Sequence, residues 1–157
     1  MVFHSGRKGS NSDPEKIYNM ARQYPTVPFV LYHMGFFGPH DEAIRVAAES
    51  RKKQDAKIYL ETAQADIDSV LLAIEKLGSD AVLFGTDATY YGHDHYGRYQ
   101  KLLKTLHDNL SPSDYFRVTA GNAIRIFNLR ELPQGPPCDD PQSETAKIRG
   151  SLSWLPR

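Results

Sequence analysis

Four residues able to bind a metal or move a proton, His4, His33, Glu61 and Asp87, recur along the chain at separations of 29, 28 and 26 residues. Each closes a short apolar run rich in β-formers, and each run is followed by a segment of helical period. The first run is Met1 to His4. Asp13-Pro14-Glu15 then opens a helix, with Asp as N-cap, Pro at the first helical position and Glu in the first turn. Ile17, Met20, Ala21 and Tyr24 give that helix an apolar face. Val27 to Tyr32 reads as a strand buried on both faces, and Asp41 to Lys53 as a helix with Ala43, Ile44, Ala47 and Ala48 inward. Ala56 to Leu60 is a third strand. Asp66 caps a third helix striped by Ile67, Val70, Leu71, Ile74 and Leu77, and Gly78 ends it. Ala81 to Gly85 is a fourth strand, followed by a helix from about Tyr96 to Leu106. Ser111-Pro112 starts another, and Gly121-Asn122 separates it from a short last helix that Asn122 is expected to cap.

This alternation calls for a parallel sheet with right-handed crossovers. In parallel α/β folds the C-terminal ends of the strands line the functional face, because loops and helix N-termini converge there. The repeat therefore sets His4, His33, Glu61 and Asp87 on one rim. Taken singly, each has a plainer reading. A histidine ending a strand is more often a hydrogen-bonding structural residue, Asp87 could cap the loop that follows it, and Glu61 reads as an exposed strand end with a structural role. The shared phase of the four is what favours a site.

Composition narrows the possible partners. The 157 residues carry 19 Lys plus Arg against 19 Asp plus Glu, a balance that points away from nucleic acid and anionic membranes. A single cysteine, Cys138, excludes an internal disulfide and a Cys-based zinc site. No apolar run is long enough to span a bilayer and no signal-peptide core opens the chain, so a cytoplasmic protein is expected. From Glu131 the pattern changes: five of the ten prolines fall there, without apolar periodicity. Residues 131–157 are thus expected to form a Pro-rich tail, docking through Trp154 and Leu155, behind a domain of residues 1–130.

The strings Phe3-His4-Ser5-Gly6, Pro28-Phe29-Val30-Leu31-Tyr32-His33-Met34-Gly35, Tyr59-Leu60-Glu61-Thr62 and Leu83-Phe84-Gly85-Thr86-Asp87-Ala88 resemble the last four strands of amidohydrolase-related proteins. Gly121-Asn122-Ala123 with Ile126-Phe127-Asn128-Leu129 resembles the closing helix of the same family. The resemblance implies a (β/α)8 TIM-barrel type of α/β fold, of which the chain holds the last four βα units, a half barrel. It implies that His4 is a metal ligand and that His33 binds a second metal or polarises the substrate. Asp87 would contact the metal and its water and accept a proton. It assigns no role to Glu61. The implied cofactor is a divalent metal, zinc with manganese as the alternative, which imidazole and carboxylate ligands suit.

The chain also departs from that family. A His-x-His pair is expected on the first barrel strand, whereas His93-Asp94-His95 follows the fourth strand found here and reads as substrate-loop or surface histidines. The first four units are missing, as in a truncated product or a split gene, and a half barrel exposes sheet edges that a missing N-terminal half or a homo-oligomer would cover. The expected activity is metal-dependent hydrolysis of an amide, ester or lactone-type carbonyl in a small-molecule substrate, with the chain by itself lacking full activity. Non-oxidative decarboxylation of an aromatic or unsaturated carboxylate is the lyase alternative, and a catalytically silent fragment the non-enzymatic one. A flavodoxin-like open sheet is disfavoured, because Gly6-Arg7-Lys8-Gly9-Ser10 lacks a phosphate-loop pattern.

Overall fold

Apolar strands that alternate with amphipathic helices have one economical arrangement, a parallel sheet with helices against it. The computed structural model, which describes residues 1–36, 40–87 and 96–129, has that arrangement. Strands β1 (Val2–His4), β2 (Pro28–Tyr32), β3 (Lys57–Glu61) and β4 (Val82–Leu83) form one four-stranded sheet in sequential order. All three pairings are parallel, with His4 beside Tyr32, Leu31 beside Leu60 and Glu61 beside Leu83.

Helix α1 (Pro14–Ala21) starts as its sequence predicts, with the Asp13 carboxylate accepting the Glu15 N–H at 2.9 Å. It is shorter than the apolar pattern implies: Tyr24 lies beyond its end, half exposed, and Tyr18 is the aromatic that the core buries. Helix α2 (Asp41–Lys53) has the predicted bounds, and helix α3 (Ile67–Leu77) is capped by Asp66, which accepts the Ser69 N–H at 2.8 Å. Gly78 follows α3 at φ 89°, a conformation that a β-carbon disfavours. Helices α4 (Tyr96–Asn109), α5 (Pro112–Phe116) and α6 (Asn122–Phe127) complete the described chain. Residues 131–157, with Trp154 and Leu155, lie outside the described residues.

The core sits between the sheet and the helices. Phe29, Leu31, Ile58, Leu60 and Val82 meet α1, α2 and α3 through Tyr18, Val46, Ala47, Val70 and Ala73, all buried. Each large side chain sequestered there stabilises the fold by about 1.5–3 kcal/mol. That outweighs exposed ion pairs such as Arg45 with Glu42 and Glu49, worth about 0–1 kcal/mol each. Because side chains alternate along a strand, Val2, His4, Val30, Tyr32, Tyr59, Glu61 and Leu83 belong to the opposite face.

The end of the chain differs from expectation. Gly121-Asn122 does not separate two helices: a π-helical segment, Arg117–Gly121, joins α5 to α6 without a break. Asn122 has helical φ/ψ and caps nothing. Its buried side chain instead donates to the carbonyls of Ser79 at 2.7 Å and Val82 at 2.8 Å. Phe84 N–H donates to Val118 C=O at 2.9 Å. The segment thus binds the side of β4 that faces away from β3. Strand β4 is also shorter than predicted, because Ala81 belongs to a 3₁₀ turn over Ser79–Ala81.

Candidate functional site

His4 is the last residue of β1 and is exposed. His33 follows β2 directly, Glu61 ends β3, and Asp87 lies four residues beyond the end of β4. With every strand parallel, all four belong to the same end of the sheet. The His4 and His33 rings meet edge to face, with centroids 4.4 Å apart, and Phe36 packs against both at 5.2 and 5.0 Å. Asp87 is exposed and has φ 50°. His93 and His95 lie outside the described residues.

His33 is not a simple strand terminus. It opens a 3₁₀ turn, His33–Gly35, in which His33, Met34 and Gly35 have φ values of 66°, 47° and 95°. A non-glycine residue in this region costs on the order of 1–3 kcal/mol and persists only where its surroundings hold it. Three side chains do so here. The Ser5 hydroxyl accepts the Gly35 N–H at 2.9 Å, and His40 Nδ1 donates to Met34 C=O at 2.8 Å. Glu61 Oε2 accepts the N–H of His33 itself at 3.2 Å.

Glu61 overturns the reading of an exposed strand end. It is only 4% exposed. Its other oxygen, Oε1, accepts Ala63 N–H at 2.9 Å. The strand phase puts this side chain on the face away from the helices, where the neighbouring strand end offers room because residue 85 is glycine. A β-carbon on Gly85 would lie 1.7 Å from Glu61 Oε1. Removal from water pushes the Glu61 carboxyl up to about 7, helped by the nearby Asp87 charge and opposed by the two backbone N–H donors.

The same environment acts on its neighbours. Burial, then the adjacent His4, hold the His33 imidazole below its ordinary value, against the Asp87 charge and a hydrogen bond to the Ala63 backbone. The Tyr32 hydroxyl is pushed up by burial and by the charges of Glu61 and Asp87. His33 is thus held as neutral imidazole near neutrality, the form that binds metals and exchanges protons.

The donors are chemically suited to a divalent ion, an imidazole and a carboxylate on one rim. His33 Nδ1 is buried with no hydrogen-bond partner among the described residues. Among those residues no three His, Cys, Asp or Glu side chains are grouped to hold an ion together. The described residues therefore present a partial donor set.

Sequence reasoning missed Ser5, His40, Gly85 and the role of Glu61. Ser5 and Gly85 sit next to or two residues from the residues singled out, in Phe3-His4-Ser5-Gly6 and Gly85-Thr86-Asp87. A small residue at a strand end is the signal that something approaches closely there. Nothing in the sequence marks His40, whose partner Met34 is defined only by the turn.

The geometry agrees with comparisons to known proteins. A family model described as Amidohydrolase matches residues 1–129. No curated protein sequence matches the chain. The four parallel βα units fit the (β/α)8-barrel fold of that family, and a half barrel suits a chain of this length. Membership points to hydrolase or related chemistry, which in this family includes decarboxylation. The chain belongs to the amidohydrolase family.

Proposed function

We propose that the chain contributes His4, His33 and Asp87 to the site of a metal-dependent hydrolase that cleaves an amide, ester or lactone-type carbonyl in a small molecule. The observation that carries this reading is the edge-to-face contact of the His4 and His33 rings, centroids 4.4 Å apart, at the sheet end where Asp87 also acts electrostatically on His33. His4 and Asp87 would hold a divalent ion, zinc or manganese, and its chemistry when bound is Lewis acidity at neutral pH. Asp87, exposed to solvent, takes the proton from the attacking water. His33 is neutral and its one N–H is held by the Ala63 backbone carbonyl, so its unpartnered Nδ1 lone pair would hold a second metal ion, the other role the resemblance implies.

A catalytic zinc ordinarily has three protein ligands and one open position. His4 and Asp87 supply two, so the remaining donors come from outside the described residues or from another chain, whether an N-terminal half or a second copy. On this reading residues 1–157 alone turn over slowly. The test is hydrolysis of a panel of esters, lactones and amides with added zinc or manganese, with carbon dioxide measured in parallel on aromatic carboxylates. Metal-stimulated hydrolysis abolished by both His4→Ala and Asp87→Ala supports the reading. Carbon dioxide release without hydrolysis replaces it with decarboxylation. Hydrolysis indifferent to both substitutions removes these residues from the site.

A further inference from the structure

Glu61 has no part in the reaction just described, yet it is the most deeply buried carboxylate near it. Burying a carboxyl group carries a large desolvation cost, and two backbone N–H groups offset only part of it. A leucine in the same place would incur none of it. What the carboxylate does, and a leucine could not, is bind two strand ends at once. Oε2 takes the N–H of His33 at 3.2 Å, the first residue of the left-handed turn, and Oε1 takes the N–H of Ala63 at 2.9 Å. Ala63 is the residue whose backbone also engages the His33 ring. One carboxylate therefore sets both the backbone of His33 and the backbone against which its imidazole rests. The side chain lies so close over the end of β4 that a β-carbon at residue 85 would push it out of place.

We infer that Glu61 is a positioning residue: its buried carboxylate fixes the His33 turn, and through it the imidazole, in the place the reaction requires. This rests on the reading of His33 as a site residue. The bland alternative is a buried carboxylate that merely stabilises the loop. The two differ in what happens to the ring. If the carboxylate sets the turn, losing it lets φ of His33 relax toward the ordinary region and swings the ring away from His4. If it only stabilises, the ring stays in place and the protein melts earlier.

The test compares the protein with Glu61→Gln, which keeps the shape but leaves one acceptor oxygen for two donors, and with Gly85→Ala, which keeps the carboxylate but drives it out of position. Asn122→Ala is the control, since Asn122 lies at the other end of β4. The readout is the NMR cross-relaxation between the His4 and His33 ring protons, which the 4.4 Å centroid separation makes observable. It should weaken or vanish in both rim variants and persist in the control. Where zinc-stimulated hydrolysis is present, kcat should fall by about 100-fold with KM little changed, as for a reacting group displaced by about 1 Å. Unchanged ring contact in both rim variants, with only a lower Tm, overturns the assignment. Absent hydrolysis in the unmodified protein counts against the proposed function alone, because the ring contact still decides the role of Glu61. Should both variants fail to fold, amide exchange in the unmodified protein decides: His33 N–H must be protected, and exchange at the rate of an unstructured peptide refutes the inference.

Discussion

Replacing Glu61 by Gln should change how stability depends on pH, in a direction and by an amount that the burial of the group sets. The Glu61 carboxyl titrates near 4.5 in an exposed chain and at about 7 in the fold. A carboxyl whose folded value is raised stabilises the fold most while protonated, below its unfolded value. That contribution is lost as pH rises through the folded value. Each pH unit between the two values is worth about 1.4 kcal/mol, so the whole contribution is about 3 kcal/mol, of which about 2.5 kcal/mol disappears between pH 5 and pH 8. His33 acts the other way: its lowered value gives stability that is present above the ordinary histidine range and lost as pH falls. Because Glu61 holds the His33 turn, the variant would also lose part of the His33 contribution, so the comparison is made with His33→Ala in both proteins, where that contribution is absent. The Gln variant starts lower by an offset of about 1–3 kcal/mol, because one of two N–H donors loses its acceptor. The assay is urea unfolding followed by circular dichroism from pH 5 to pH 8. The stability of the protein relative to the variant should fall by about 2.5 kcal/mol as pH rises across that window, enough to close or invert the gap. A gap that stays constant would mean that Glu61 ionises as an exposed carboxyl does, and the account of its burial would fall.

Asn122→Ala removes two hydrogen bonds to buried carbonyls and should cost about 2–4 kcal/mol, well above the roughly 1 kcal/mol of a lost helix cap. A shift in the urea midpoint matching only a cap would show that Asn122 does not lock α6 to β4. Asp66→Ala removes a true N-cap and should cost about 1 kcal/mol, with the far-UV spectrum otherwise retained; no loss of stability would refute the cap. Ser5→Ala leaves Gly35 N–H without its acceptor and should cost about 1–3 kcal/mol, with amide exchange at Gly35 rising; unchanged exchange would remove Ser5 from the turn.

The fold was legible in the sequence wherever local signals and tertiary packing point the same way. Asp13-Pro14 and Asp66 start their helices as helix-cap chemistry requires, Asp41 opens α2 as an acidic residue in its first turn, and the strand runs from Val27 and Ala56 need only a residue or so of trimming. Legibility failed where a long-range partner decides. Asn122 has the composition of a cap, but its partners Ser79 and Val82 are some forty residues away, and those contacts keep the backbone helical through it. Glu61 looks like an exposed strand end because nothing in Leu60-Glu61-Thr62 shows that His33, Ala63 and Gly85 close around it. The rim itself was readable from the spacing of His4, His33 and Asp87. The left-handed turn that aims His33 was not, since Met34 at φ 47° is a conformation its side chain does not favour.

The most direct measurement of the proposed site is zinc binding by calorimetry to residues 1–157, to His4→Ala, to Asp87→Ala and to His107→Ala, a surface histidine with its side chain 75% exposed. Binding by the unmodified chain should be measurable and should weaken by more than about tenfold in each of the two rim variants. The His107 variant should bind as the unmodified chain does. Zinc affinity that is unaffected by the loss of either His4 or Asp87 would contradict the account.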